Sequence, residues 1–370
     1  MRADRKGYDP ARILLSVSNT VSTSLSLKEV SRVVLRESIN ALGTDHSSLF
    51  LIDESRRHLM LEEVMGFKRD EIENIKVLGS WEAINTQLVK RKKPLMVNDV
   101  HRNLLFKDKK LPFSKERLPV SSFLAAPLIK DREVIGALIV SNKKRSMRVF
   151  AKEDMHLLRT LSNHVAIALL NARLYEDMRE LFISTVKSLV RAIDAKDPYT
   201  SGHSERVMRY STAIGRVMGL DEARLENLGL SSLLHDVGKI GIREKILAKP
   251  GKLSSLEKRQ MRLHTSIGVR IVDTIKNAGK IIRGIKEHHE RFDGKGYPAG
   301  LKGGAISPEA RIVAVADTFD ALTTNRPYRK AHTKDRAFLN IRRGSSRQFD
   351  PAVVRAFVSS YKKDPRTWSP

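Results

Sequence analysis

The stretch SLLHDVGKIG, Ser232 to Gly241, sets an ionisable pair, His235-Asp236, in an otherwise apolar segment, with Lys239 three residues on. Burying charge without a partner costs several kcal/mol, so the pair must be hydrogen-bonded to protein, exposed, or holding metal. The same half of the chain repeats the pattern: His203 in TSGHSERV, His264 in MRLHTSIG, the tandem His288-His289 in KEHHERFDGKGYP, and Asp317 in VAVADTFDAL. Each lies in a helical-looking segment with apolar neighbours. One histidine on such a face is ordinarily a satisfied core residue, but five with two aspartates among them point to a metal site. The chain has no cysteine, so any metal must be held by His and carboxylate.

Spacing carries the reading further. Adjacent helical residues project about 100° apart, so His288 and His289 do not readily chelate one ion, yet each can reach its own if two ions lie ~3.5–4 Å apart. The same geometry lets His235 bind one ion while Asp236 bridges both. Water between two cations becomes hydroxide near neutral pH, a nucleophile suited to phosphorus.

The N-terminal half reads differently. SLKE at 26–29 is a capping box, Ser26 with Glu29, that predicts a helix from about Leu27. SSLFLID (47–53) and HLMLEEVMG (58–66) flank a polar turn and predict a hairpin. WEAINTQLVKRKK (81–93) has helical spacing, and PLMVNDV, SSFLAAPLIKD and EVIGALIVSNKK supply strands, the last two separated by the turn Asp131-Arg132. The order describes an α+β unit, an antiparallel sheet flanked by helices.

Between the halves, Ser141 to Asp197 holds neither Gly nor Pro, so a long helix is expected across the boundary. Leu170, Leu174, Met178, Leu181 and Phe182 extend an apolar stripe along it, which predicts a homodimer through this helix; docking onto the second domain is the other use of such a stripe.

Composition bounds the function. The chain of 370 residues is long enough for two domains, and 41% hydrophobic with 30% charged residues is a soluble, globular balance. Its longest apolar runs, such as VAIALL at 165–170, are far short of a membrane span, so a cytoplasmic protein is expected. Without cysteine there is no disulfide and no thioether-linked chromophore. The formal charge of +26 suits either a solvated basic surface or the capture of anionic ligands, while 6% aromatic residues offer no stacking platform for a nucleic-acid partner.

On SFLAAPLIKDREVIGALIVSNKK followed by FAKEDMHLLRTLSNHVAIALLNARLYED, residues 10–175 resemble a GAF sensor domain with an unidentified small-molecule ligand. Asn142, Lys143, Phe150 and Asp154 match positions of its cyclic-nucleotide-binding members, but Met155 stands where Glu would follow; a Lys143–Asp154 contact tying strand to helix is the favoured reading. On DPYTSGHSERV, HDVGK, HHERFDGKGYP, ISPEARIVAVADTFDALTTNRPYR and QFDPAVV, residues 180–370 resemble an all-α HD-GYP phosphohydrolase domain, with residues 152–193 as the connecting helix.

That resemblance implies hydrolysis of cyclic di-GMP to pGpG and onward to GMP. It makes His203, His235, Asp236 and Asp317 ligands of one divalent ion, and Asp236, His264, His288 and His289 ligands of the other, with iron or manganese ahead of zinc or nickel. Lys239 would face the phosphate or protonate the leaving oxygen, while Tyr297, Arg326 and Arg329 would contact substrate. Some members hold a third metal through a glutamate four residues before the first histidine; here Tyr199 stands there, so two metals are expected and GMP should form more slowly than pGpG. The alternative is a catalytically weak receptor for the same dinucleotide.

Overall fold

In the computed structural model, the described residues are 27–53, 58–73, 75, 82–100, 102–103, 120–143, 149–194, 202–249, 251–276, 278–325 and 330–369. They form two compact units that divide between Leu181 and Phe182.

In the first unit, helix α1 (Leu27–Leu42) precedes β1 (His46–Ile52) and β2 (Leu59–Met65), then α2 (Glu82–Asn85) continued by a π-turn (Thr86–Lys90), β3 (Leu95–Val97), β4 (Val120–Lys130) and β5 (Glu133–Lys143). The strands make one antiparallel sheet in the order β2-β1-β5-β4-β3. β4 and β5 read as near-continuous apolar runs because both sheet faces are covered. Leu138 and Val140 pack with Val34, Leu35 and Leu158 on one side, while Ala137 and Ile139 pack with Phe50, Ile84 and Leu88 on the other. Asp131 and Arg132 both adopt positive φ, 48° and 66°, the backbone of a two-residue hairpin turn whose twist suits the strands it joins.

Ser26 of the expected capping box and the Lys143 side chain lie outside the described residues. Asp154 accepts from the Ala151 N–H at 2.9 Å, closing the first turn of helix α3.

Helix α3 (Lys152–Asp194) runs unbroken for 43 residues, as a stretch without Gly or Pro permits. Leu158, Leu161, Val165 and Leu169 bury in the first unit's core, and Val186 and Val190 bury in the second's. Leu174, Met178, Leu181, Phe182 and Leu189 are exposed. No helix among the described residues is long and apolar enough to cross a membrane.

The second unit is helical: α4 (His203–Val217), α5 (Glu222–Leu234), a 3₁₀ turn (Val237–Gly241), α6 (Glu244–Leu247), α7 (Ser255–Arg262), α8 (His264–Val272), α9 (Gly279–Glu287), α10 (Pro308–Thr323), α11 (Lys334–Arg343) and α12 (Pro351–Lys363). Capping explains several starts: Asp221, Ser254, Ser307, Thr333 and Asp350 each accept a backbone N–H from the first turn that follows. One core joins α4, α10 and α12 around Tyr210, Phe319, Phe357 and Trp368. A second packs Val186 and Val190 against Leu233, Leu234, Val237 and Ile285, directly behind the His235-Asp236 pair.

Candidate metal centre

The site histidines collect at helix ends rather than along helix faces. His203 and His264 open α4 and α8; His235 and His288 are the residues just past α5 and α9, and His289 follows in the turn. The last carbonyls of a helix have no partner within it, so nearby donors satisfy them. Nδ1–H of His235 donates to Ser232 O, that of His264 to Met261 O in the last turn of α7, and that of His288 to Ile285 O, each at 2.7 Å. With the proton placed on Nδ1, Nε2 of each ring is left as an acceptor.

Helical spacing through HDVGK predicts a continuous helix, and here the structure differs. The chain leaves α5 at Leu234, passes Asp236 at φ −103° and ψ 7°, and enters the 3₁₀ turn. The cause is Gly238, which lies against the start of α8 so closely that a Cβ would stand 1.9 Å from His264 O and 2.5 Å from Gly268 N. In a 3₁₀ turn residues three apart eclipse, and Lys239 Nζ accordingly meets Asp236 Oδ2 at 2.8 Å.

Asp236 is the hinge of the cluster. Its Oδ2 lies 3.4 Å from His235 Nε2 and 3.9 Å from His203 Nε2, while Oδ1 lies 3.4 Å from His264 Nε2. Two groups of potential ligand atoms, each within 4.8 Å of one another, share this one carboxylate: His203, His235 and Asp236, and Asp236, His264, His288 and His289. Asp317 Oδ1 stands 3.4 Å from His203 Nε2, extending the first group.

The donors fit divalent ions. His235 Nε2 is buried without a hydrogen-bond partner among the described residues. The Nε2 atoms of His264 and His288 face each other at 3.5 Å, and since both rings carry their proton on Nδ1, two lone pairs confront one another unless a cation lies between them. Burial holds His264 below its ordinary range, His288 well below it, and His289 down at about 4, so all three are neutral and ready to ligate. Burial also opposes charge on Asp236 and Asp317. Lys239 nevertheless holds Asp236 far below the carboxylate range, and His203 does the same for Asp317. His203 is the exception among the rings, pushed up to about 9 against its burial by the carboxylates of Asp317 and Asp320.

Tyr297 comes to the rim of the second group. Its ring centroid lies 4.7 Å from that of His289, and the Arg262 guanidinium sits over it at 4.7 Å. The loop is drawn there by buried Glu290, which accepts the N–H groups of Ala299 (2.7 Å) and Leu301 (3.0 Å). Gly296 makes the fold-back possible, since a Cβ would stand 2.4 Å from Arg291 N. Asp293 and Gly294 serve the turn: Asp293 accepts from Arg291 and from Lys295 N, and Gly294 has φ 80°.

The structure thus gathers His203, His235, Asp236, Lys239, His264, His288, His289, Asp317 and Tyr297, whereas Tyr199, Arg326 and Arg329 lie outside the described residues. Sequence reasoning missed Asp320 and Arg206. Asp320 Oδ2 meets His203 Nδ1 at 2.7 Å, and Arg206 Nε and Nη2 meet its two oxygens at 2.6 and 3.1 Å. The signal was present: Asp320 follows Asp317 by three residues on α10, and Arg206 follows His203 by three on α4, so each shares the face of a site residue. Arg262 and Glu290 carried no comparable signal.

Comparison with known proteins agrees with this division. Residues 24–170 match the GAF domain family and residues 187–353 the HD domain family. The chain is 42% identical over 178 residues to the cyclic di-GMP phosphodiesterase response regulator RpfG of Xanthomonas campestris pv. campestris (strain 8004), covering 47% of each chain. It is 40% identical over 171 residues to the 3'3'-cGAMP-specific phosphodiesterase 3 of Vibrio cholerae serotype O1, covering 46% of this chain and 37% of that one. It is 39% identical over 193 residues to the cyclic di-GMP phosphodiesterase of Thermotoga maritima, covering 51% of each. The chain therefore spans about half or less of the length of these relatives.

Proposed function

We propose that this chain, a GAF domain followed by an HD domain, is a metal-dependent phosphodiesterase of cyclic di-GMP, regulated through its GAF domain. The observation that carries the reading is Asp236, whose two carboxylate oxygens face two separate sets of imidazole nitrogens. In this reading His203, His235, Asp236 and Asp317 hold one divalent ion, and Asp236, His264, His288 and His289 hold another. Two such ions, when bound, would polarise a phosphodiester and acidify an attacking water.

The chain's own groups do the rest. Lys239, held 2.8 Å from Asp236, keeps that carboxylate anionic and sets a cation where a phosphate would lie. The helix-end carbonyls accept Nδ1–H of His235, His264 and His288, so the neutral tautomer of each ring presents Nε2 as its ligating atom. Tyr297, Arg326 and Arg329 serve the dinucleotide, with planar guanidinium forks suited to its second phosphate.

Purified protein loaded with Mn(II) or Fe(II) is expected to convert cyclic di-GMP to pGpG, with GMP appearing later, as followed by product chromatography. The same assay with 3'3'-cGAMP tests the other substrate named among the relatives. Binding of either dinucleotide without turnover would replace the enzyme by a receptor. Arg326→Ala is expected to raise KM about 10–100-fold, the loss of one charge-assisted contact, with kcat and metal content near wild type. Loss of metal instead would make the residue structural.

The exposed apolar side chains of α3, Leu174, Met178, Leu181 and Leu189, support a parallel homodimer as the element that carries a GAF rearrangement to the hydrolase. Light scattering should give twice the chain mass at micromolar concentration, and Leu181→Glu with Met178→Glu should return it to one. A wild-type monomer ends that part of the reading.

A further inference from the structure

The histidines of the centre are held by two different devices. Three site histidines lean on carbonyl oxygens that the local chain supplies, three residues back in each case. Among the described residues His203 has no such support. It is the first residue of α4, preceded by Gly202 at φ 68°, and no described helix runs into it as α7 runs into His264. Its Nδ1 reaches instead to Asp320, 117 residues away on α10. Asp320 is fully buried and held by both Nε and Nη2 of Arg206, one turn beyond His203.

We propose that Asp320 is a positioning residue that fixes His203 toward the metal and makes the position formed by His203, His235, Asp236 and Asp317 the tighter of the two. The inference rests on the metal-centre reading above. A carboxylate accepting Nδ1–H makes the opposite nitrogen a stronger donor than a neutral carbonyl does, and such outer partners are worth about 10–100-fold in metal affinity. The direct ligands add to this difference: two carboxylates face the His203 position, whereas three neutral imidazoles and a shared Asp236 face the other. Arg206 acts on Asp320 rather than on the metal. Its fork holds both carboxylate oxygens, so the carboxylate stays ionised in a site from which water is excluded, and its plane is fixed for His203.

The test is Mn(II) titration of metal-free protein by calorimetry, with melting followed by circular dichroism. Wild type should take up two equivalents, the first at least ten times tighter than the second. Asp320→Asn should weaken the first about 10–100-fold and leave the second unchanged, whereas Arg206→Gln, which keeps the Asp320–His203 bond, should weaken it less. Should Asp320→Asn fail to fold, wild-type protein loaded with Zn(II) still decides: among the Nδ1–H protons of His203, His235, His264 and His288, that of His203 should resonate furthest downfield, as expected for a bond to carboxylate. Unchanged affinities in Asp320→Asn, equal losses in both variants, or a His203 proton among the carbonyl-bonded ones would overturn the assignment of Asp320. Wild-type protein that takes up no Mn(II) would overturn the metal centre itself.

Discussion

Asp236→Ala should abolish cyclic dinucleotide hydrolysis, with turnover falling on the order of 10³-fold or more, as expected when several kcal/mol of transition-state charge stabilisation are lost. Metal content should fall with it. The carboxylate lies within 3.9 Å of three site imidazoles and of Lys239, so its removal leaves nitrogen donors and an ammonium group crowded together with no anion between them. Asp236→Asn separates charge from shape: it preserves the volume but not the anion, and should behave like the alanine variant. Elemental analysis beside the kinetic assay checks both. A variant that retains two metals and near wild-type turnover would exclude Asp236 as the bridging carboxylate.

The second large effect should come from a residue with no side chain. Gly238→Ala places a methyl carbon 1.9 Å from His264 O and 2.5 Å from Gly268 N, and both obstacles are main chain, which has no rotamer to change. The 3₁₀ turn must then lift away from α8, at about 1–3 kcal/mol or more. In a unit of this size that corresponds to a melting temperature lower by roughly 2–12 °C. The functional loss should exceed the stability loss. His235 and Asp236 sit on one side of the contact and His264 on the other, and a displacement of about 1 Å in such a constellation costs on the order of 10²-fold in rate. Differential scanning calorimetry and kcat at a temperature where the variant is folded distinguish the two effects; wild-type values in both would mean the backbone yields without cost.

What the sequence makes legible follows from the range of the interactions. The strands of the first unit announce themselves by apolar runs and by the Asp131-Arg132 turn, all local signals, and the 43-residue helix by the absence of Gly and Pro. The metal-facing residues could be gathered because histidine and aspartate in apolar surroundings are chemically conspicuous wherever they fall. Their exact seats were less visible. Helical periodicity carries HDVGK straight through as a helix, because nothing within that segment reveals the main chain of His264 pressing on Gly238 from 26 residues away. Asp320 escaped notice for a related reason. Its spacing of three from Asp317 hinted at a shared face, but only the packing of α10 against α4 makes it the buried partner of both His203 and Arg206.

The carbonyl supports of the other three histidines have a consequence for how such a centre changes under mutation. A main-chain oxygen belongs to every residue type, so replacing Ser232, Met261 or Ile285 alters packing without deleting the acceptor that orients His235, His264 or His288. The proton placement of those rings is inherited from the fold and is shielded from single-nucleotide change. Of these four histidines only His203 donates to a side chain, which makes position 320 a point where one substitution retunes a metal ligand without touching it. Selection for a different metal or a different turnover rate has, in this scaffold, one adjustable contact and three fixed ones.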